Sequence, residues 1–363
     1  MALALLLSRW GLPTALIVDH GLRDGSAAEA ALTARRLMDR GVDARVLPRL
    51  ILRTGAGLAA RARTARYAAL AAACKALGLV DLFVAHHRQD QAETLLLRRA
   101  AGSGSAGLAG MAVVSPGDDI RLLRPLLTIP PDRLRATLTA AGLAWVDDPS
   151  NVDPATPRAR LRADFAQGDV ERLARLAHDG GTDRGLAEQG AAARLAETVT
   201  VLPSGVAWVA SPSLSAPELS ALIWTVSGRT YPPRTASVRQ LTQLRSATLH
   251  GAAIVMGRGG WWIGREAAAM GRPVPATLPW DGRFCLAGDA PGCTIGALGD
   301  DAARLRRWSD LPSMLVRTLP ALRRDRALFA VPHLHYPDIQ TCRAVPIVFR
   351  PARPVAPAPF TVA

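Results

Sequence analysis

The sequence predicts an α/β fold. A Rossmann-like parallel sheet wrapped by helices is expected first, then a helical segment and a mixed α+β C-terminal region. Three observations carry this reading. Between residues 14 and 100, short apolar runs alternate with helix-length amphipathic segments. Strands separated by helices of that length need right-handed crossovers and therefore lie parallel. Past Gly102 the alternation gives way to glycine- and turn-rich stretches and then to a long helical pattern, and beyond Thr248 short strand-like runs come in hairpin pairs. A chain of 363 residues can bury more than one core. Two regions are expected: a domain over residues 1–165, and a C-terminal region over 166–363 that ends in a Pro-rich tail.

Each element has its own signal. Residues 2–10 read as a helix. Residues 14–19 (TALIVD) form a short buried strand. In S-A-A-E, Ser26 and Glu29 are spaced for a reciprocal capping box, so a helix starts at Ser26; it stops at Gly41. Residues 43–47 give a second strand and 57–77 a long amphipathic helix ended by Gly78. Residues 82–86 form a third strand, with a helix beginning near Gln89. A short helix over 131–141 has proline at its start. Residues 170–200, 216–226 and 235–245 are helical in pattern, and 248–256 with 261–266 read as a hairpin. From Ile347 the tail is extended. In open parallel sheets, ligands bind at the carboxyl ends of the strands. That rule places Asp19 and His20 on one rim with His86 and Asp90.

Composition narrows the functional classes. Apolar residues make up 49% and charged residues 20%, as in ordinary globular chains, but the net charge is +14. Nearly all the bases are arginine; Lys75 is the single lysine. A genome bias accounts for arginine over lysine, not for bases over acids. The surplus points to a polyanionic partner, most simply nucleic acid; a basic protein with no such partner is the alternative. The four cysteines, Cys74, Cys285, Cys293 and Cys342, lack any C-x-x-C spacing, which argues against a zinc site or a disulfide framework and fits a reducing compartment. The opening MALALLLSRWGLP has no basic lead, and no later run approaches the ~20 apolar residues of a membrane span. A cytoplasmic protein without a membrane partner is expected. The pattern assigns no oligomeric state.

Chemistry-bearing residues cluster in AHHRQDQAETLLLRR, residues 85–99. A helical zinc motif wants histidines four apart, whereas His86 and His87 are adjacent and their side chains diverge. Asp90 and Glu93 are three apart, on one face of a helix. In the first turn, Asp90 either caps the helix or holds a Mg²⁺ ion brought by a polyphosphate, which needs only one or two carboxylates. Glu93 either supports it or is a plain helix-face residue. Arg63 and Arg66, one turn apart in ARTARY, either form a solvated basic face or meet phosphate or RNA. Arg158, Arg160 and Arg162 in RARLR suit RNA-backbone contact or an ordinary surface.

Taken together, IVDHGLRDGSAAEA, ARTARYAAL, AHHRQDQAET, GSGSAGLAGM, LLRPLL and DDPSNVD, in this order and spacing, resemble the tRNA(Ile)-lysidine synthetase family of N-type ATP pyrophosphatases. GRTYPPR, HGAAIV with WWIGREA, and RTLPAL with VPHL extend the likeness to its alphaproteobacterial C-terminal region. The resemblance implies a parallel sheet of the PP-loop ATPase type, with ATP and Mg²⁺ as cofactors. It implies adenylation of the 2-carbonyl oxygen of the wobble cytidine in the CAU anticodon of tRNA(Ile). Free L-lysine then displaces AMP through its ε-amine to give lysidine. The chemistry is coherent, because a carbonyl oxygen leaves poorly and AMP leaves well. The resemblance makes Asp90 the catalytic, metal-linked carboxylate. It puts Asp19, His20, His86, Arg63 and Arg66 at ATP, and Arg124, Asn151, Arg158, Arg160 and Arg162 at the tRNA.

The sequence departs from the family pattern at four places. Gln89 stands where a second acid is usual, Ala159 where an asparagine is usual, and Ala101 where an arginine is usual. The family also opens with a strand, an S-G-G-x-D-S phosphate loop and a helix beginning M-A-L, whereas this sequence starts at Met1-Ala2-Leu3. The first strand is then missing between the 14–19 and 82–86 strands, leaving two interior edges. The expected explanation is a start codon assigned too late; a truncated RNA-binding remnant is the alternative. As written, the chain is expected not to cleave ATP to AMP and pyrophosphate. Another PP-loop tRNA-modifying enzyme, a thiolase, would want a reactive cysteine near the pocket, and Cys74 sits mid-helix without a partner.

Overall fold

A computed structural model describes residues 1–19, 21, 25–52, 55, 57–117, 119–146, 167–211, 213–243 and 245–363. Two compact units emerge: Met1–Leu186 together with Ala358–Ala363, and Ala187–Pro357. The boundary expected at residue 165 lies outside the described residues.

The first unit runs α1 (Ala2–Leu7), β1 (Thr14–Val18), α2 (Ser26–Met38), β2 (Asp43–Leu47), α3 (Leu58–Ala76), β3 (Asp81–Phe83), α4 (Arg88–Ala100), α5 (Ser105–Leu108), β4 (Val114–Pro116), β5 (Arg121–Leu123) and α6 (Pro131–Ala140). The long helix α7 (Gln167–Thr198) follows. The β-α-β alternation matches the sequence reading. β1 pairs parallel with β2, and β3 parallel with β5, which β4 joins antiparallel. These are separate sheets; no strand ladder joins β1 to β3 among the described residues. The break falls between the two strands where the sequence placed a gap. Helix α3 bridges it with apolar contacts. Leu70 and Cys74 pack with Leu16, Val18 and Leu47 of one sheet and with Leu82 and Leu122 of the other.

Two local expectations are corrected. The third strand ends at Phe83 rather than His86. Its ladder with β5 extends one bond further, from the Val84 N–H to the Leu123 carbonyl at 2.9 Å. The S-A-A-E box is not formed. The cap of α2 is Gly25 in the left-handed region (φ 83°), and the Ser26 hydroxyl donates instead to Asp19 Oδ1 at 2.6 Å. With Gly25 as the cap, Ser26 is the first helical residue rather than the cap, and its hydroxyl proton goes to the buried Asp19 carboxylate, a strong charged acceptor. A reciprocal box does form at Ser215 and Glu218, where the Ser215 N–H donates to Glu218 Oε2 at 2.7 Å.

The second unit is built on antiparallel sheets. Strands β6 (Val199–Val201), β7 (Ala207–Val209), β8 (Ala247–Leu249), β9 (Ala252–Gly257) and β10 (Gly260–Arg265) form one antiparallel sheet in the order β6-β7-β10-β9-β8. Helix α8 (Ala216–Ser227) lies on it, and Leu219, Leu222, Ile223, Ile254 and Ile263 form the shared core. The short helix Thr235–Arg239 ends six residues before the sequence reading placed its end. A second sheet and core follow, built around Trp280, Phe284, Ile295 and Leu322. No described helix is long and apolar enough to cross a membrane.

Candidate active site

The site forms where β3 and β5 hand the chain on to α4. His87, with extended backbone (φ −124°), is the N-cap of α4, and Asp90 stands in the first turn. Asp90 Oδ2 accepts from the His87 backbone N–H at 2.9 Å, and His87 Nδ1 is 3.4 Å from the same oxygen. The capping alternative is therefore real for that oxygen. It also fixes where the carboxylate stands, at the positive end of a thirteen-residue helix. Glu93 is fully buried on the inward face of the helix.

Three arginines act on His86, the residue just ahead of this helix's cap. On α3, the Arg63 and Arg66 guanidiniums each lie 5.1 Å from the Tyr67 ring centroid, one helical turn in all. Arg124, just past β5, is almost fully buried; its Nη1 donates to the Ala112 carbonyl at 2.8 Å and to Ser115 Oγ at 2.9 Å. His86 reports the convergence electrostatically. Burial pushes its imidazole down to about 4; the Asp90 charge opposes this, and Arg124, Arg63 and Arg66 add to it. His86 is thus a neutral ring at pH 7, held among a carboxylate and three cations.

Four side-chain atoms here are buried without a hydrogen-bond partner among the described residues: Tyr67 Oη, His86 Nδ1, His87 Nδ1 and Arg124 Nε. Buried polar atoms are nearly always partnered, so orphans clustered beside cations suit an anionic, oxygen-rich ligand. A nucleotide polyphosphate fits that donor set. One carboxylate, Asp90, suffices for a magnesium ion that arrives on phosphate. No three His, Cys, Asp or Glu side chains group as a metal site among the described residues.

Of the residues named from the sequence, the structure brings together Asp90, His86, Arg63, Arg66 and Arg124. Asp19 stands at the end of β1, as expected, but its Oδ1 serves its own loop, accepting from the Gly21 N–H at 2.9 Å and from Ser26. His20, Asn151, Arg158, Arg160 and Arg162 lie outside the described residues. Sequence reasoning missed Tyr67, although its place four residues after Arg63 already put it on that arginine's helix face. It also missed Gln91, whose buried amide donates to the Met111 carbonyl at 3.0 Å and accepts from the Met111 N–H at 2.7 Å. Cys74 is buried and burial pushes its thiol up, the reverse of what a reactive cysteine needs.

Residues 1–168 match the family model of the PP-loop domain. This domain class, with its parallel strands and the cation-lined helix start, is the frame in which the site sits. A tRNA(Ile)-lysidine synthase from Mesorhizobium japonicum is 34% identical over 333 residues, covering 84% of this chain and 72% of the relative. One from Rhizobium meliloti is 33% identical over 80% of this chain and 69% of the relative. The chain belongs to the tRNA(Ile)-lysidine synthase family. The relative from Bradyrhizobium sp. BTAi1 is 46% identical over 170 residues, 45% of this chain and 48% of its own length. Together with a second Bradyrhizobium and a Rhodopseudomonas relative, it is matched over about half its length, 47–55%.

Proposed function

We propose that this protein takes part in ATP-dependent ligation of lysine to the 2-position of the wobble cytidine in the CAU anticodon of tRNA(Ile). The products are lysidine, AMP and pyrophosphate, formed through an adenylated cytidine. The observation that carries the reading is the cluster of unpartnered buried atoms on Tyr67, His86 and Arg124, with Arg63, Arg66, Arg124 and Asp90 all acting on the neutral His86 ring beside the start of α4. Family membership supplies the substrate class. In this reading, the arginines neutralise phosphate charge as the pyrophosphate departs, and the half-buried helix start keeps bulk water from competing with the amine nucleophile. Asp90 would hold Mg²⁺, which when bound polarises the phosphate oxygens. His86, uncharged at pH 7, can hydrogen-bond to nucleotide without adding charge. The net charge of +14 favours a tRNA partner.

The test is lysine incorporation into a CAU-anticodon tRNA(Ile) transcript. It is run on the full chain. Asp90→Asn is expected to lower incorporation by roughly 100-fold or more, the scale on which removing a key electrostatic group acts. Its stability should hardly change, because the asparagine Oδ1 can still accept from the His87 N–H. Near-normal turnover in Asp90→Asn refutes the assignment.

A further inference from the structure

Helix α7 carries glycines at 180, 181 and 185, deep inside its length. Glycine is among the poorest helix formers, so three within six residues call for a reason. The surroundings supply it. A Cβ on Gly181 would stand 2.6 Å from Val362 Cγ1 and 2.9 Å from Phe360 Cε1; one on Gly185 would stand 2.6 Å from the Phe360 carbonyl oxygen. Gly181 and Gly185 are four apart, on one face, and that face is a groove filled by the chain's own last residues. Across the groove, the Val113 N–H donates to the Thr361 carbonyl at 3.0 Å, and the Val114 N–H to Thr361 Oγ1 at 3.0 Å. The Arg184 guanidinium lies 4.6 Å above the Phe360 ring.

We propose that this groove is a recognition site for one extended apolar peptide, the chain's own Phe360-Thr361-Val362. We further propose that its occupancy holds the glycine-rich segment 102–111 against α4. Main-chain hydrogen bonds on one side and pockets for alternate side chains on the other are how extended peptides are read. Pro357 and Pro359 keep the approach extended, which lowers the entropy lost on docking. The link to the loop is direct. Arg184 Nη1, beneath Phe360, also donates to the Ala106 carbonyl at 2.8 Å. From the other side, Arg98 Nη1 of α4 donates to the Gly107 carbonyl at 2.9 Å and the Gly110 carbonyl at 2.5 Å, and Gln91 clamps Met111. The segment is therefore gripped between α7, through the arginine that the tail covers, and the helix that bears Asp90. The proposal stands on contacts inside one unit and does not depend on the ligation chemistry.

Hydrogen exchange on the full chain tests it. In Phe360→Ala, amides of residues 102–114 are expected to exchange at least ~10-fold faster, as for a locally loosened segment, while those of β9 and β10 are unchanged. A synthetic APAPFTVA peptide, added near the ~mM effective concentration of a tethered segment, should restore protection. Gly181→Val should show the same fast exchange and resist rescue. Unchanged exchange in Phe360→Ala, or equal rescue of Gly181→Val, overturns the proposal. A drop in oligomeric mass on Phe360→Ala in the ultracentrifuge would mean that a second copy supplies the tail, and would overturn the intrachain assignment.

Discussion

Asp281 in the second unit and Tyr67 in the first both hide a polar oxygen from water, and the two are treated oppositely. Asp281 Oδ2 accepts from Arg265 Nε at 3.1 Å and from Arg283 Nη2 at 2.6 Å, and its Oδ1 from Arg265 Nη2 at 3.1 Å and the Gly271 N–H at 2.9 Å. Arg283 is buried to the point that its guanidinium is pushed down to about 10, burial outweighing the nearby Asp281 charge. Here an ion triad is sealed into the core with its donors spoken for. Tyr67 Oη has no partner among the described residues, and neither do His86 Nδ1 and Arg124 Nε in the same cluster. Leaving such atoms unpaired is costly, so a fold retains them where a ligand completes them. The second unit uses buried polarity as structure; in the first it has the character of a binding site. Ser204 Oγ and His333 Nδ1 are the second unit's own exceptions.

The sharpest way to break this contrast is Asp281→Ala. It leaves two buried guanidiniums without their shared anion and should cost about 3–5 kcal/mol in chemical denaturation. A loss under about 1 kcal/mol would mean the triad is not structural.

His333 comes next. Burial pushes its ring down to about 4 from 6.5, against the contrary pull of the Pro203 and Ile347 backbone contacts. The folded protein therefore keeps this ring neutral where the unfolded chain protonates it. Its contribution is complete above pH 6.5, declines as pH falls from 6.5 towards 4, and levels off below. The full swing is about 3 kcal/mol. The difference in stability between wild type and His333→Leu, followed from pH 7 to pH 4, should narrow by that order; a pH-independent difference would show that burial of this ring is not what lowers it.

The smallest effect on stability is expected at Tyr67. Tyr67→Phe removes the orphan hydroxyl but keeps the ring under both arginines. Stability should hold or rise by up to about 1 kcal/mol, while ATP or tRNA affinity falls several-fold. A clear fall in Tm would reveal a structural partner for the hydroxyl and erase the difference between the two units.

How much of the site was legible follows the range of the forces involved. Asp90 could be placed in the first turn of a helix after an apolar strand because periodicity and capping act over a few residues. Arg63 and Arg66 could be put on one face for the same reason. Ser26 shows the limit. Its local pattern favoured a cap, yet a carboxylate seven residues upstream took the hydroxyl once β1 and α2 were packed. Glu93 likewise read as either support or surface, and only packing buried it.

The amino-acid sequence alone determined the β-α-β alternation, a helix beginning near Gln89 with Asp90 in its first turn, the excess of positive charge and the ordered motifs of the family. All are written in neighbouring residues or in their order. Only the tertiary structure decided that β5 lies beside β3 while β1 pairs elsewhere, that Arg124 reaches the cluster headed by Arg63, and that the Phe360 segment fills a groove cut by Gly181 and Gly185. Those contacts join residues tens to hundreds of positions apart. Their energies depend on burial and close approach, which no local pattern specifies.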